Sequence, residues 1–168
     1  IASIVCEDDA EALAQVRKVI TMLPQNNLAP IPMFEYEESS AAVSADNAPE
    51  ALIANVADAG SVIELCAAYG KAAATYLATV AGATTAFVAT CGESALDADS
   101  CTKISHFVKL CDAFNIPVVT LLDSEGFALS SDVKLIKEAA KLASAYAEAT
   151  TAKISLITGK AYGAAYVA

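Results

Sequence analysis

The residues best placed to do chemistry are the last nine, Lys160-Ala161-Tyr162-Gly163-Ala164-Ala165-Tyr166-Val167-Ala168. An apolar, partly β-branched run, Ile154-Ser155-Leu156-Ile157-Thr158, leads through Gly159-Lys160 into small residues, with nothing bulky where a helix would begin. A strand that gives way to a side-chain-poor helix start leaves backbone N–H groups uncovered, and such groups stabilise an oxygen that gains negative charge in a transition state. A second candidate is the turn Asp123-Ser124-Glu125-Gly126-Phe127. It follows the short apolar run Pro117–Leu122, and α/β enzymes place ligand-binding loops at the ends of such strands. Lys160 reads either as a positive charge near an anionic ligand or as a solvated surface lysine. His106 is expected on the core-adjacent face of a helix, and Asp97-Ala98-Asp99 reads as that helix's cap.

Composition excludes several classes. The 168 residues carry 20 Asp and Glu against 10 Lys and Arg, a formal net charge of −10, so nucleic acid is not the expected partner. Hydrophobic residues make up 56%, yet no apolar run approaches the roughly 20 residues of a membrane span. Five cysteines (6, 66, 91, 101, 111) are odd in number and lack CxxC spacing, which argues against a disulfide framework and a zinc site. No metal is expected. Structural thiols and the absence of a signal peptide point to the cytoplasm.

The elements that must position these residues are readable from period and punctuation. Asp9–Leu23 has a helical apolar period (13, 16, 19, 20, 23), closed by Pro24. A linker with prolines at 30, 32 and 49 and an acidic cluster at Glu35, Glu37 and Glu38 follows. Pro49-Glu50 opens a helix to about Asp58. Thr75–Val80 and Thr84–Thr90 flank Gly82 as a hairpin. Asp99–Phe114 is a helix stopped by Asn115, and Pro117–Leu122 is a buried strand. Ser131-Asp132 opens a helix through Ala149, and Lys153–Thr158 is the next strand. The order β-β-α-β-α-β-α predicts an α/β domain with mostly buried strands.

Four stretches in register carry a resemblance: Leu110-Cys-Asp-Ala-Phe-Asn-Ile-Pro117, Leu122-Asp-Ser-Glu-Gly-Phe127, Ala145-Tyr-Ala-Glu-Ala-Thr150, and Lys160-Ala-Tyr-Gly-Ala-Ala-Tyr166. Together they resemble the C-terminal half of the carboxyltransferase (β) subunit of biotin-dependent acyl-CoA carboxylases, the propionyl-CoA carboxylase type. Asp9–Asn27, ending Leu-Pro-Gln-Asn-Asn, is similar to the last helix of that subunit's N-terminal domain. The resemblance implies a crotonase/ClpP-like spiral of ββα units, continuing beyond Ala168 and so truncated at its C-terminus. It divides the chain into a terminal helix of a preceding domain (1–27), a linker (28–50) and an incomplete carboxyltransferase domain (51–168). The chain starts at Ile1 rather than Met, which also reads as trimmed.

What the resemblance implies functionally is transfer of a carboxyl group between carboxybiotin and the α-carbon of a short acyl-CoA such as propionyl-CoA. The family has one oxyanion hole facing the thioester and another facing the biotin ureido oxygen. The second falls on the backbone amides of Ala164 and Ala165, with Gly163, Gly126 and Phe127 in the biotin site and Val167 in the acyl pocket. Biotin rides on a separate carrier, so the implied partners are the biotin carboxyl carrier protein or biotin carboxylase subunit, and a second copy across the carboxyltransferase dimer interface. By itself this chain is expected to be inactive. The family usually has Pro at the position of Glu125, Pro-Gly near Ser130-Ser131, a second glycine at Ala164, Arg at Gly159, an Arg-His pair at the Lys137-Glu138 region, and Asp at Val167. Those departures suggest a divergent branch, such as a biotin-dependent acyl-CoA decarboxylase. A crotonase-fold hydratase or hydrolase using Glu125, and a non-catalytic scaffold, are the other readings.

Overall fold

The computed structural model describes residues 2–39, 48–90, 92, 94–129 and 133–163. Helix α1 (Asp9–Met22) starts where the Asp8 carboxylate accepts the N–H of Glu11 at 2.8 Å. Only its last turn meets the core: Met22 is buried and Val19 and Leu23 pack beside it, whereas Leu13, Val16 and Ile20 are exposed. Helix α2 (Pro49–Val56) uses Pro49 at its start, where a missing N–H costs nothing.

Strands β1 (Ile63–Leu65), β2 (Ala73–Val80), β3 (Ala83–Thr90), β4 (Val118–Ser124) and β5 (Lys153–Ala161) form one sheet in the order β1-β2-β3-β4-β5. The first two pairings are antiparallel and the last two parallel. The expected β2–β3 hairpin turns on Ala81 and Gly82, at φ 50° and 79°. Both central residues at positive φ make a two-residue turn whose twist suits the strands. The buried Asp58 carboxylate accepts both turn N–H groups at 2.9 Å, and Phe34 N–H donates to Gly82 O at 2.9 Å.

Helix α3 (Ala98–Ala113) joins β3 to β4, and α4 (Val133–Glu148) joins β4 to β5. Asp97 caps α3, accepting the N–H of Ser100 at 2.7 Å. Its other end closes on Asn115 at φ 56°, with Asn115 N–H donating to Asp112 O at 3.1 Å and Ile116 N–H to Cys111 O at 2.8 Å, a Schellman motif built on Asn instead of Gly. Cys101, Ile104, Phe107, Val108 and Cys111 of this helix are buried at helical spacing. The main core lies between one sheet face (Val88, Val118) and α3 and α4; Ile53 of α2 meets Phe87, Ala89 and Leu121 on the other face.

Three expectations need correcting. Burial holds for β2–β4 but not β5, which lies at the sheet edge with Ile154, Leu156 and Ile157 more than half exposed. The last strand also runs three residues past Thr158, to Ala161. His106 is exposed; the buried charged residue of α3 is Lys103, whose Nζ donates to Ala73 O at 2.9 Å. The N-cap expected at Ser131-Asp132 and a helix after Gly163 fall outside the described residues.

Candidate active-site edge

Because β3, β4 and β5 run parallel, their carboxyl ends meet at one edge of the sheet, the position at which open α/β sheets bind ligands. Hydrogen-bonded pairing of β3 with β4 ends at Ala89 and Leu121. Beyond it a side chain takes over. Thr90 Oγ1 donates to Asp123 O at 2.9 Å and accepts Asp123 N–H at 2.8 Å, so one hydroxyl stands in for two ladder partners.

The β4–β5 ladder is irregular at the same level. From the pair Leu122–Ile157 to the pair Ser124–Ala161, β4 advances two residues and β5 advances four. The extra length is a bulge, a device that re-aims a strand end. Asp123 fills it: its Oδ1 accepts Lys160 N–H at 2.7 Å. Gly92 and Gly159 flank the carboxyl so closely that a Cβ on either would collide with it. Thr158 Oγ1 donates to Leu122 O at 3.2 Å at the base of the bulge.

Past the bulge two loops touch. Buried Ser124 accepts Tyr162 N–H on its carbonyl (3.2 Å) and Gly126 N–H on its hydroxyl (3.0 Å). Gly126 and Gly163 sit at φ 105° and 70°; a Cβ on Gly163 would lie 3.7 Å from Gly126 Cα, and one on Gly126 would lie 3.3 Å from Tyr162 O. The result is a side-chain-free patch of backbone. The loop after β3 is stitched to it, since Leu96 N–H donates to Gly126 O and Ala128 N–H to Leu96 O, both at 2.9 Å.

Of the residues named from sequence, Gly126 and Gly163 are therefore in contact. Phe127 forms a bridge with Leu96 and leans, partly buried, on the main core. Ala164, Ala165 and Val167 lie outside the described residues. Lys160 Nζ pairs with Glu125 Oε1 at 2.5 Å, and that hydrogen bond and charge raise the lysine pKa; both side chains are about half exposed (49% each). Sequence reasoning missed Thr90, and it named Asp123 and Ser124 only as part of a candidate turn, not as the residues that build the edge. Their signal was present in the glycines at 92 and 159, one in each neighbouring chain segment opposite the same aspartate.

Beneath this edge, between the sheet and the helices, lies a cavity of about 130 Å³ lined by Thr90, Leu96, Leu122, Leu142, Tyr146 and Ile157 among others. The Tyr146 hydroxyl is paired with Thr120 Oγ1 at 2.9 Å, and burial pushes its pKa up to about 12. It is not a proton-transfer group near neutral pH. Nor are the Cys101 and Cys111 thiols, both fully buried and raised by burial to about 11 and about 12. Among the described residues there is no group of three or more His, Cys, Asp or Glu arranged to hold a metal, and no helix long and apolar enough to cross a membrane.

Three parallel strand ends, a bulged last strand and a backbone-lined patch define an α/β module whose candidate site is furnished with backbone amides more than titratable side chains. Residues 1–168 match the carboxyl transferase domain, and the chain belongs to that family. It is 36% identical to the propionyl-CoA carboxylase beta chain of Roseobacter denitrificans, over 99% of this chain and 36% of that protein. It is 35% identical to the methylmalonyl-CoA decarboxylase subunit alpha of Propionigenium modestum, again over 99% of this chain and 36% of that protein. The crystal structure of transcarboxylase 12S, a hexamer solved with hydrolysed methylmalonyl-coenzyme A bound, superposes with a TM-score of 0.88 at 32% identity, covering 98% of this chain and 35% of that one. The resemblance and the crotonase-like carboxyltransferase fold expected from four short motifs both hold. The chain spans about a third of the length of these relatives.

Proposed function

We propose that this chain supplies the biotin-facing half of an acyl-CoA carboxyltransferase site, which moves a carboxyl group between carboxybiotin and the α-carbon of a short acyl-CoA such as propionyl-CoA. The observation that carries the reading is the close approach of Gly126 and Gly163 at the ends of β4 and β5, a patch where an added Cβ on either would lie 3.3 to 3.7 Å from the facing loop. Such a patch suits a flat ureido ring approaching backbone. In this reading the amides of Ala164 and Ala165 form the oxyanion hole, Phe127 borders the biotin site, and Val167 shapes the acyl pocket. Preorganised amides favour the charge that develops on the ureido oxygen as the carboxyl group leaves, so no acid–base side chain is required.

The same reading carries a division into a terminal helix of a preceding domain (1–27), a linker (28–50) and a carboxyltransferase domain (51–168). It also carries partnership with a biotin carrier protein and biotin carboxylase subunit, self-association across a carboxyltransferase interface, and residence in the cytoplasm. The exposed stripe Leu13, Val16 and Ile20 on α1 supports the first division, because a helix with two apolar faces has a second surface to cover. A decarboxylase direction is the second reading, favoured by the match to the Propionigenium subunit. Glu125, the carboxyl a hydratase would use, is engaged by Lys160 in an exposed ion pair, and it lacks the shelter that general acid–base work at that place needs.

The test is carboxyl transfer between biotin and acyl-CoA by the full subunit carrying this chain. Transfer in the wild type, lost on bulky substitution at Ala164 or Ala165 with acyl-CoA binding retained, is the expected result. Acyl-CoA turnover that is independent of biotin would sink the reading.

A further inference from the structure

We infer that Asp123 is a positioning residue for the biotin-facing turn, acting through the backbone of Lys160 and not on the reactants. The inference rests on the function proposed above. Three observations carry it. The carboxyl sits in the β5 bulge and accepts Lys160 N–H at 2.7 Å, replacing the strand partner that the register shift removes. It is fixed from behind, because Thr90 Oγ1 binds both backbone groups of the same residue. And it is enclosed by glycines on both neighbouring segments, Gly92 and Gly159, where any Cβ would meet the carboxyl. Any side chain at 159 would displace the carboxyl from its place, so the glycine and the aspartate work here as a set.

The consequence is geometric. Only Ala161 and Tyr162 separate Lys160 from Gly163, and the Tyr162 N–H is held by Ser124 O. Asp123 and Ser124, adjacent on β4, thus grip alternate amides of the same turn and press Gly163 against Gly126. Releasing the first grip lets the turn slide along the edge, and amides aimed at a developing charge lose their value with small displacements.

Asp123→Ala in the full subunit is expected to speed hydrogen exchange at the Lys160–Gly163 amides. It should also lower kcat for carboxyl transfer to biotin by about 10- to 100-fold, the scale of a displacement near 1 Å, while KM for acyl-CoA stays within about 2-fold of wild type. Asp123→Asn keeps an acceptor oxygen and should recover most of both. Should Asp123→Ala not fold, Thr90→Val gives the same selective signature in weaker form. Unchanged exchange at Lys160 would overturn the positioning role, and so would faster exchange with transfer unaltered. A wild-type subunit with no biotin-dependent transfer would instead overturn the proposed function, while the exchange measurement still decides whether Asp123 holds the turn.

Discussion

A single hydroxyl on Thr90 closes both backbone hydrogen bonds of Asp123, donating to its carbonyl at 2.9 Å and accepting its N–H at 2.8 Å. The β3–β4 ladder ends at Ala89 and Leu121, one residue before Thr90 and two before Asp123, so the hydroxyl lets the strands diverge toward the edge without leaving buried polar groups unmatched. Thr90 is itself only 5% exposed, so water is poorly placed to replace it. Thr90→Val, nearly the same shape, is expected to destabilise this region by about 1–3 kcal/mol, the range for stranding buried donors and acceptors. Thr90→Ser should cost less. Native-state hydrogen exchange of the β3 and β4 amides measures it; equal protection in Thr90→Val would show that the hydroxyl contributes nothing.

Two aspartates tie loops down, and both should appear in the pH dependence of stability. Burial works to raise the pKa of Asp58, but hydrogen bonds from the Thr79 side chain and from Gly82 and Ala81 N–H outweigh it and hold it below the ordinary value. The same contest is won by hydrogen bonds at Asp112, which accepts from Thr150 N–H at 2.6 Å and Thr151 N–H at 3.1 Å, with Lys153 adding attraction. A lowered folded-state pKa gives stability that is fully present above the unfolded value, near 4, and is lost as pH falls through the folded value. Urea midpoints should therefore fall below about pH 4 in the wild type, with a shallower fall in Asp58→Asn and Asp112→Asn. Parallel pH profiles in wild type and variants would refute the assignment.

Cysteine labelling separates packing from reactivity. Only the thiolate attacks an alkylating reagent, and with pKa values of about 11 and about 12 the thiolate fractions of Cys101 and Cys111 at pH 8 are about 10⁻³ and 10⁻⁴. Both side chains are also fully buried. Mass spectrometry after iodoacetamide treatment should find these two unmodified in the native protein and modified after denaturation, with the partly buried Cys66 labelled ahead of them. Native labelling of Cys111 would mean that the α3–α4 core opens readily.

These cases mark where sequence reading reached and where it stopped. Helix α3 was legible because its apolar period, the Asp97 cap and the Asn115 stop are all local signals, and the hairpin because Gly82 supplies a positive φ. Strand β1 escaped because three residues are too few to show a period. The end of β5 was misread because Gly159-Lys160 looks like a strand terminus, whereas the Asp123 carboxyl, 37 residues upstream of Lys160, supplies the missing ladder partner. Lys103, not His106, turns inward for a similar reason: a lysine is buried only where its ammonium finds an acceptor, and Ala73 O comes from a different element. The glycine contact at the site shows the same division. Gly126 and Gly163 were each singled out from sequence, but only the folded edge brings them together.

That contact yields the sharpest prediction about the site. Gly126 has φ 105°, a conformation that a residue with a Cβ adopts at a cost of about 1–3 kcal/mol, and the new methyl would lie 3.3 Å from Tyr162 O. Gly163, at φ 70°, is in the milder left-handed region, and its Cβ would meet only ordinary van der Waals contact at 3.7 Å. Gly163→Ala should therefore cost about 1 kcal/mol in stability. If the patch receives the biotin ring, the two variants should differ less in transfer than in stability, because each places a methyl on the same small area of backbone. Carboxyl transfer to biotin by the full subunit should fall by about 10-fold or more in both, as expected when preorganised amides are obstructed. Hydrogen exchange outside the edge should be altered only in Gly126→Ala. Full transfer activity in Gly163→Ala would place the biotin ring elsewhere.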